Sequence, residues 1–148
     1  MFALGAFVFP MKPSLILWPA LALMAWTFLV LVQVPIRRFH AAFKKRVVAQ
    51  DFKYGESAAV PADVAVPNRV FMNLLEVPVI FYALVAFNLI LGHVDQTVLA
   101  LAWVYVGLRL VHSLIYLTYN HVIHRFAVFA ISNFVVLAMI FNLACWLA

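Results

Sequence analysis

Residues 68–92 read NRVFMNLLEVPVIFYALVAFNLILG, a run apolar enough to cross a bilayer that still carries Arg69, Asn73 and Glu76. A helix of about 20 residues covers the ~30 Å hydrocarbon core. A charge at the centre of such a helix costs roughly 2.5–3.5 kcal/mol on insertion scales, so charges there need partners or a purpose. The three polar residues fall at i, i+4 and i+7, on one helical face. The next apolar run repeats the pattern, with Arg109, His112 and Tyr116 at i, i+3 and i+7. Two polar faces in otherwise apolar helices point to a polar site inside a helix bundle.

Composition sets the class. Of 148 residues, 68% are hydrophobic and 10% charged, and the mean hydropathy is +1.09. Soluble domains carry about 25% charged residues, so a soluble globular domain is excluded. The net charge of +5 comes from basic residues set beside the apolar runs. That is a topology signal, and no nucleic-acid partner is expected. The lone Cys145 permits no internal disulfide.

Hydropathy and turn residues give four spans, about 14–36, 68–92, 97–119 and 124–147, with a loop over 37–67. Residues 1–12 read as a short interfacial lead, because no basic segment precedes their apolar stretch as a signal peptide requires. Asn68, after Pro67, is a good N-cap for the second span. Pro35 and Pro78 are expected to kink their helices without breaking them, since neighbours can satisfy the freed backbone groups. The tight connections at 92–96 and 120–123 make the last three helices antiparallel neighbours. The fold class is therefore all-α: an integral membrane four-helix bundle, left-handed and antiparallel.

Orientation follows from the loops. The first connection holds Arg37, Arg38, Lys44, Lys45, Arg46 and Lys53, whereas the second holds no Lys or Arg. The excess places the first and third connections in the cytoplasm and both termini on the opposite side. Phe39, Phe43, Val47 and Phe52 recur near helical spacing among these cations, as in an amphipathic continuation along the headgroups.

Depth then gathers the polar groups. At ~1.5 Å per residue, Arg69 lies at the cytoplasmic mouth and Glu76 about 11 Å deeper. Arg109 has a similar depth to Glu76, so an ion pair between them is expected. Such a pair could serve only to fix helix register. Tyr116, His112 and Arg125 complete a basic cavity suited to an anionic ligand. Arg37 and Arg38 close its ring from the first helix. His121 and His124 lack a third ligand, so no metal is expected.

The series Arg69-x-x-x-Asn73-x-x-Glu76-x-Pro78, then Arg109-x-x-His112-Ser113-x-x-Tyr116, then Arg125 resembles the MAPEG family, the membrane-associated proteins of eicosanoid and glutathione metabolism. The segment Asn73–Tyr82 is similar to the bacterial branch, which implies an inner-membrane location. The resemblance covers nearly the whole chain and implies a homotrimer binding glutathione between subunits on the cytoplasmic side. A lipophilic small-molecule substrate would enter from the lipid. It implies that Arg69, Asn73, Glu76, His112 and Tyr116 hold the tripeptide and that Arg125 is the catalytic residue facing the thiol. Glutathione carries two carboxylates and an ammonium, and a guanidinium beside its sulfur favours the nucleophilic thiolate.

The chain departs from that pattern at three positions. Phe126 and Phe129 stand where prostaglandin-forming relatives carry Ser and Tyr, and Met72 stands where they add an Arg. Tyr119 is a candidate for the missing hydroxyl. Three functions stay open at this point. The first is a glutathione-dependent transferase or peroxidase acting on lipophilic electrophiles. The second is a non-catalytic MAPEG-like protein binding a lipid or partner. The third is a proton-coupled transporter using Glu76, which the absence of an acid in the first span disfavours.

Overall fold

The computed structural model describes residues 12–148, so the expected lead over residues 1–12 falls outside it except for Lys12. Five helices follow: α1 (Leu17–Phe43), α2 (Ala62–Leu75), α3 (Pro78–Ile90), α4 (Gln96–Leu117) and α5 (Val122–Leu147). One-turn 3-10 segments precede α1 and lie within the α1–α2 connection. No strand forms among the described residues. With α2 and α3 taken together, four helical stretches are long and apolar enough to cross a membrane. An integral membrane protein built as a four-helix bundle accounts for them.

The second span departs from expectation at both its start and its middle. It begins at Ala62 and not at Asn68, with Pro61 extended in the N-cap position and Pro67 inside the helix. The cause is tertiary. Val64 and Ala65 pack into a small cluster with Ala41, Val47 and Val60, which ties the first turns of α2 to the end of α1. Asp63 in that first turn suits the helix dipole. It also accepts two hydrogen bonds from Arg46, at 2.7 and 3.0 Å. Asp63, by hydrogen bond first and by charge second, holds the Arg46 guanidinium above its ordinary pKa.

Pro78 breaks this span where a kink was expected. Helix α2 stops at Leu75, Glu76 leaves helical geometry at ψ −98°, and α3 restarts with Pro78 in its first turn. Proline has no N–H for the Leu74 carbonyl and its ring clashes with that group, whereas at a helix start the missing donor costs nothing. Pro35, by contrast, sits within a continuous α1. That helix ends where Lys45 turns the chain at φ +53. The expected amphipathic continuation therefore stops at Phe43. Phe39 and Phe43 face outward, while Val47 is buried.

Helix α4 is the hub, packing against α1, α2 and α5. Its buried residues, Val98, Ala102, Tyr105, Arg109, His112 and Ser113 among them, recur at three- and four-residue spacing. Phe81 of α3 is fully buried, with its ring 4.7 Å from that of Tyr105. The interior serine hydroxyls are satisfied within their own helices, as a bilayer favours. Ser113 donates to the Arg109 carbonyl at 2.8 Å and Ser132 to the Phe129 carbonyl at 2.7 Å. Helix α5 buries only a narrow stripe of Ser132, Val136, Met139 and Leu143. Phe126, Phe134 and Phe141 are each 69% exposed, a surface that needs lipid or another chain to cover it.

Phe81→Ala is expected to cost ~3–5 kcal/mol of stability, read as a clear loss of melting temperature in detergent. Phe134→Ala, on the exposed face, should melt near the wild type. Equal melting of the two variants would contradict this placement of the core.

Candidate functional site

Three helices converge on one cavity. Helix α4 carries Arg109, His112 and Tyr116 along a single face, α2 contributes Asn73, and α5 contributes Arg125, Phe126 and Phe129. The cavity measures about 320 Å³ and is lined by Asn73, His112, Tyr116, Val122, Arg125, Phe126 and Phe129. Four of the residues expected at the site thus meet: Asn73, His112, Tyr116 and Arg125.

Arg109 lies behind this cavity and is fully buried. Its Nη2 donates to the Asn73 backbone carbonyl at 2.6 Å and to the Asn73 Oδ1 at 2.8 Å. The carbonyl belongs to the last turn of α2, where the helical ladder ends before Pro78 and acceptors lose their usual donors. A side chain from α4 therefore caps the broken helix. The guanidinium also lies 5.6 Å from the centre of the Phe129 ring.

The direct Glu76–Arg109 ion pair expected from equal depth is replaced by a relay. Asn73 Nδ2 donates to Glu76 Oε2 at 3.2 Å while its Oδ1 faces Arg109. Matching depth does not settle the pairing, because Glu76 lies on the exposed side of its span while Arg109 is fully buried. Among the described residues Arg109 Nε and Nη1 have no protein partner, and neither does the neighbouring Tyr105 hydroxyl.

Arg69 and Glu76 do not line the cavity. Both are exposed, as is Met72, and the three share one face of the span. Arg69 lies 3.9 Å from Glu56, a loop carboxylate that also pairs with Arg38 at 3.2 Å. Arg38 is further held over the Phe52 ring at 4.5 Å. Arg37 goes elsewhere, lining a second cavity of about 260 Å³ with Asp63, Tyr116, Thr118 and Asn120. Tyr116 is common to both cavities.

Arg125 is held from two directions. Its Nη1 donates to Asn120 Oδ1 at 2.6 Å, and its guanidinium lies 3.9 Å from the centre of the Tyr116 ring. Phe129 supplies the inner wall, with its ring 5.7 Å from that of His112. Tyr119 does not line the cavity, and its hydroxyl pairs with His124 Nδ1 at 3.2 Å. Among the described residues no cluster of three metal-ligating side chains forms. Glu56 and Asn120 join the site without any signal in the sequence. A lone acid in a loop and an asparagine in a turn carry no pattern, and only the folded contacts reveal them.

The fold and the cavity define an all-helical membrane protein with a polar, arginine-bearing site between its helices. The chain belongs to the MAPEG family, whose model matches residues 16–145. No curated protein and no solved structure matches it. Membership suggests a membrane function related to glutathione.

Asn73→Leu removes one of the two bonds to a buried cation and is expected to cost about 1.5–3 kcal/mol. Glu76→Gln keeps an acceptor for Asn73 and should change stability by about 0.5 kcal/mol or less. Thermal melts in detergent distinguish the two. If Glu76→Gln proved the more damaging, a direct pair between Glu76 and Arg109 would be the better description.

Proposed function

We propose that this protein is a membrane-bound glutathione transferase or peroxidase acting on lipophilic electrophiles, with the peptide thiol held beside Arg125. The convergence of Asn73, His112, Tyr116 and Arg125 on one cavity supports this reading most directly. An amide, an imidazole, a phenol and a guanidinium offer donors for carboxylates and peptide carbonyls. The guanidinium supplies the positive charge that favours a thiolate. When bound, glutathione brings the nucleophilic sulfur. Arg125 holds that sulfur deprotonated, His112 and Asn73 orient the peptide, and Phe126 and Phe129 give the electrophile an apolar approach.

Among the described residues one chain supplies a single arginine to this cavity, while glutathione has two carboxylates. The exposed Arg69 and Glu76 provide the complement if their face meets another copy. A guanidinium would take a carboxylate and the carboxylate would take the ammonium. This asymmetry supports a site completed by a neighbouring copy, and family membership supports a homotrimer of antiparallel four-helix subunits with the peptide bound between them. The basic first connection supports an orientation with the site near the cytoplasm and both termini on the other side, and the resemblance of the Asn73–Tyr82 segment to the bacterial branch supports an inner-membrane location. Lipid contact along the exposed faces of α1 and α5 fits a substrate delivered from the bilayer.

A non-catalytic lipid- or partner-binding role is the second reading. It is favoured by Phe129, which lines the cavity where a hydroxyl would assist the thiol.

The deciding experiment is glutathione binding to the purified protein in detergent, with thiolate absorbance recorded at the ultraviolet edge. The wild type should bind and show thiolate near neutral pH. Arg125→Leu should retain its melting temperature and lose most of the thiolate signal. Binding with no thiolate in the wild type would favour the non-catalytic reading, and an unchanged signal in Arg125→Leu would remove Arg125 from the chemistry.

A further inference from the structure

Asn120 sits in the turn between α4 and α5 at φ +48. In this left-handed region glycine carries no steric penalty and asparagine is among the few other residues tolerated. Its backbone N–H donates to the Ile115 carbonyl at 2.8 Å and closes α4. Glycine would make that bond equally well, so the backbone does not explain an asparagine here. The side chain does. Its Oδ1 accepts from Arg125 Nη1 at 2.6 Å, a charge-assisted hydrogen bond. The guanidinium so held lies 3.9 Å from the centre of the Tyr116 ring, within cation–π range.

The location gives this contact a role. Arg125 lines the cavity that contains Asn73 and His112, whereas Asn120 lines the neighbouring cavity that contains Arg37. Tyr116 lines both. The hydrogen bond therefore crosses the partition between the cavities and fixes the guanidinium there.

We propose that Asn120 is a positioning residue that, with the face of Tyr116, holds Arg125 in place for the thiol before any ligand arrives. The proposal rests on the reading that Arg125 serves a glutathione thiol. An unrestrained arginine samples many rotamers, and fixing one in advance removes that entropic cost from the binding step. A single carbonyl acceptor occupies one N–H and leaves the other donors free. The neutrality of the amide also matters. A carboxylate at this position would hold the guanidinium more tightly but cancel the charge that a thiolate needs.

Two readouts on the intact protein in detergent test this. The first is the rate of phenylglyoxal labelling of Arg125, followed by peptide mass spectrometry with Arg37 as the internal reference. The second is the pH midpoint of thiolate absorbance for bound glutathione. Asn120→Gly keeps the left-handed backbone and removes the contact. It should label several-fold faster at Arg125, raise the thiol midpoint by about one unit and bind glutathione several-fold more weakly near neutral pH, with melting little changed. Asn120→Asp should label more slowly than the wild type and also raise the midpoint. Unaltered labelling in both variants would overturn the clamp. Faster labelling in Asn120→Gly with an unmoved midpoint would reduce Asn120 to a packing role and overturn the proposal. A wild type without bound thiolate would instead overturn the glutathione reading, and labelling alone would then support or overturn the clamp.

Discussion

The hydrogen bonds from Arg109 to the carbonyl and side chain of Asn73 are the contact on which the rest of this structure depends. They bring together two features that would each be costly alone: a buried guanidinium in a transmembrane helix and the frayed end of a helix broken at Pro78. The guanidinium supplies the donor that the broken ladder lacks, and the backbone carbonyl supplies an acceptor that no side-chain substitution can remove. Asn73 then has little orientational freedom. Its oxygen faces Arg109, so its NH2 group is left for Glu76.

From that junction the two faces of the second span acquire different characters. Asn73 turns inward and joins His112, Tyr116 and Arg125 around the cavity. Arg69, Met72 and Glu76 remain exposed on the outward face. A bilayer tolerates exposed charges at such a depth poorly, which is why the proposed function places a second copy against them. Loop residues tie the same end of the molecule together. Glu56 engages Arg38 and Arg69, Asp63 engages Arg46, and Asn120 engages Arg125. Of these four partnered cations, Arg125 is the one that lines the cavity.

Much of this was legible in the chain. Helical spacing put Arg109, His112 and Tyr116 on one face of the third span, and the structure buries Arg109 and His112 and sets Tyr116 against the cavity. The four apolar runs were visible because a bilayer imposes length and composition so strictly. Contacts between segments were less legible. The early start of α2 depends on Val64 and Ala65 packing near Ala41, and no local capping signal announces it. The break at Pro78 and the partner of Arg109 depend on each other, since the carbonyl that takes the guanidinium lies in the turn that the proline ends. Depth counting compares heights along an axis and knows nothing of azimuth, so it paired Arg109 with Glu76 when Asn73 stood between them.

The most direct test is an experimental structure of the protein in a lipid nanodisc with glutathione added. The peptide should lie in the cavity bounded by Asn73, His112, Tyr116 and Arg125, its sulfur beside the Arg125 guanidinium, with Arg109 still bonded to Asn73. Arg69 and Glu76 of a neighbouring copy should reach the same ligand. Density for the peptide elsewhere, or Arg109 turned to pair directly with Glu76, would contradict this arrangement.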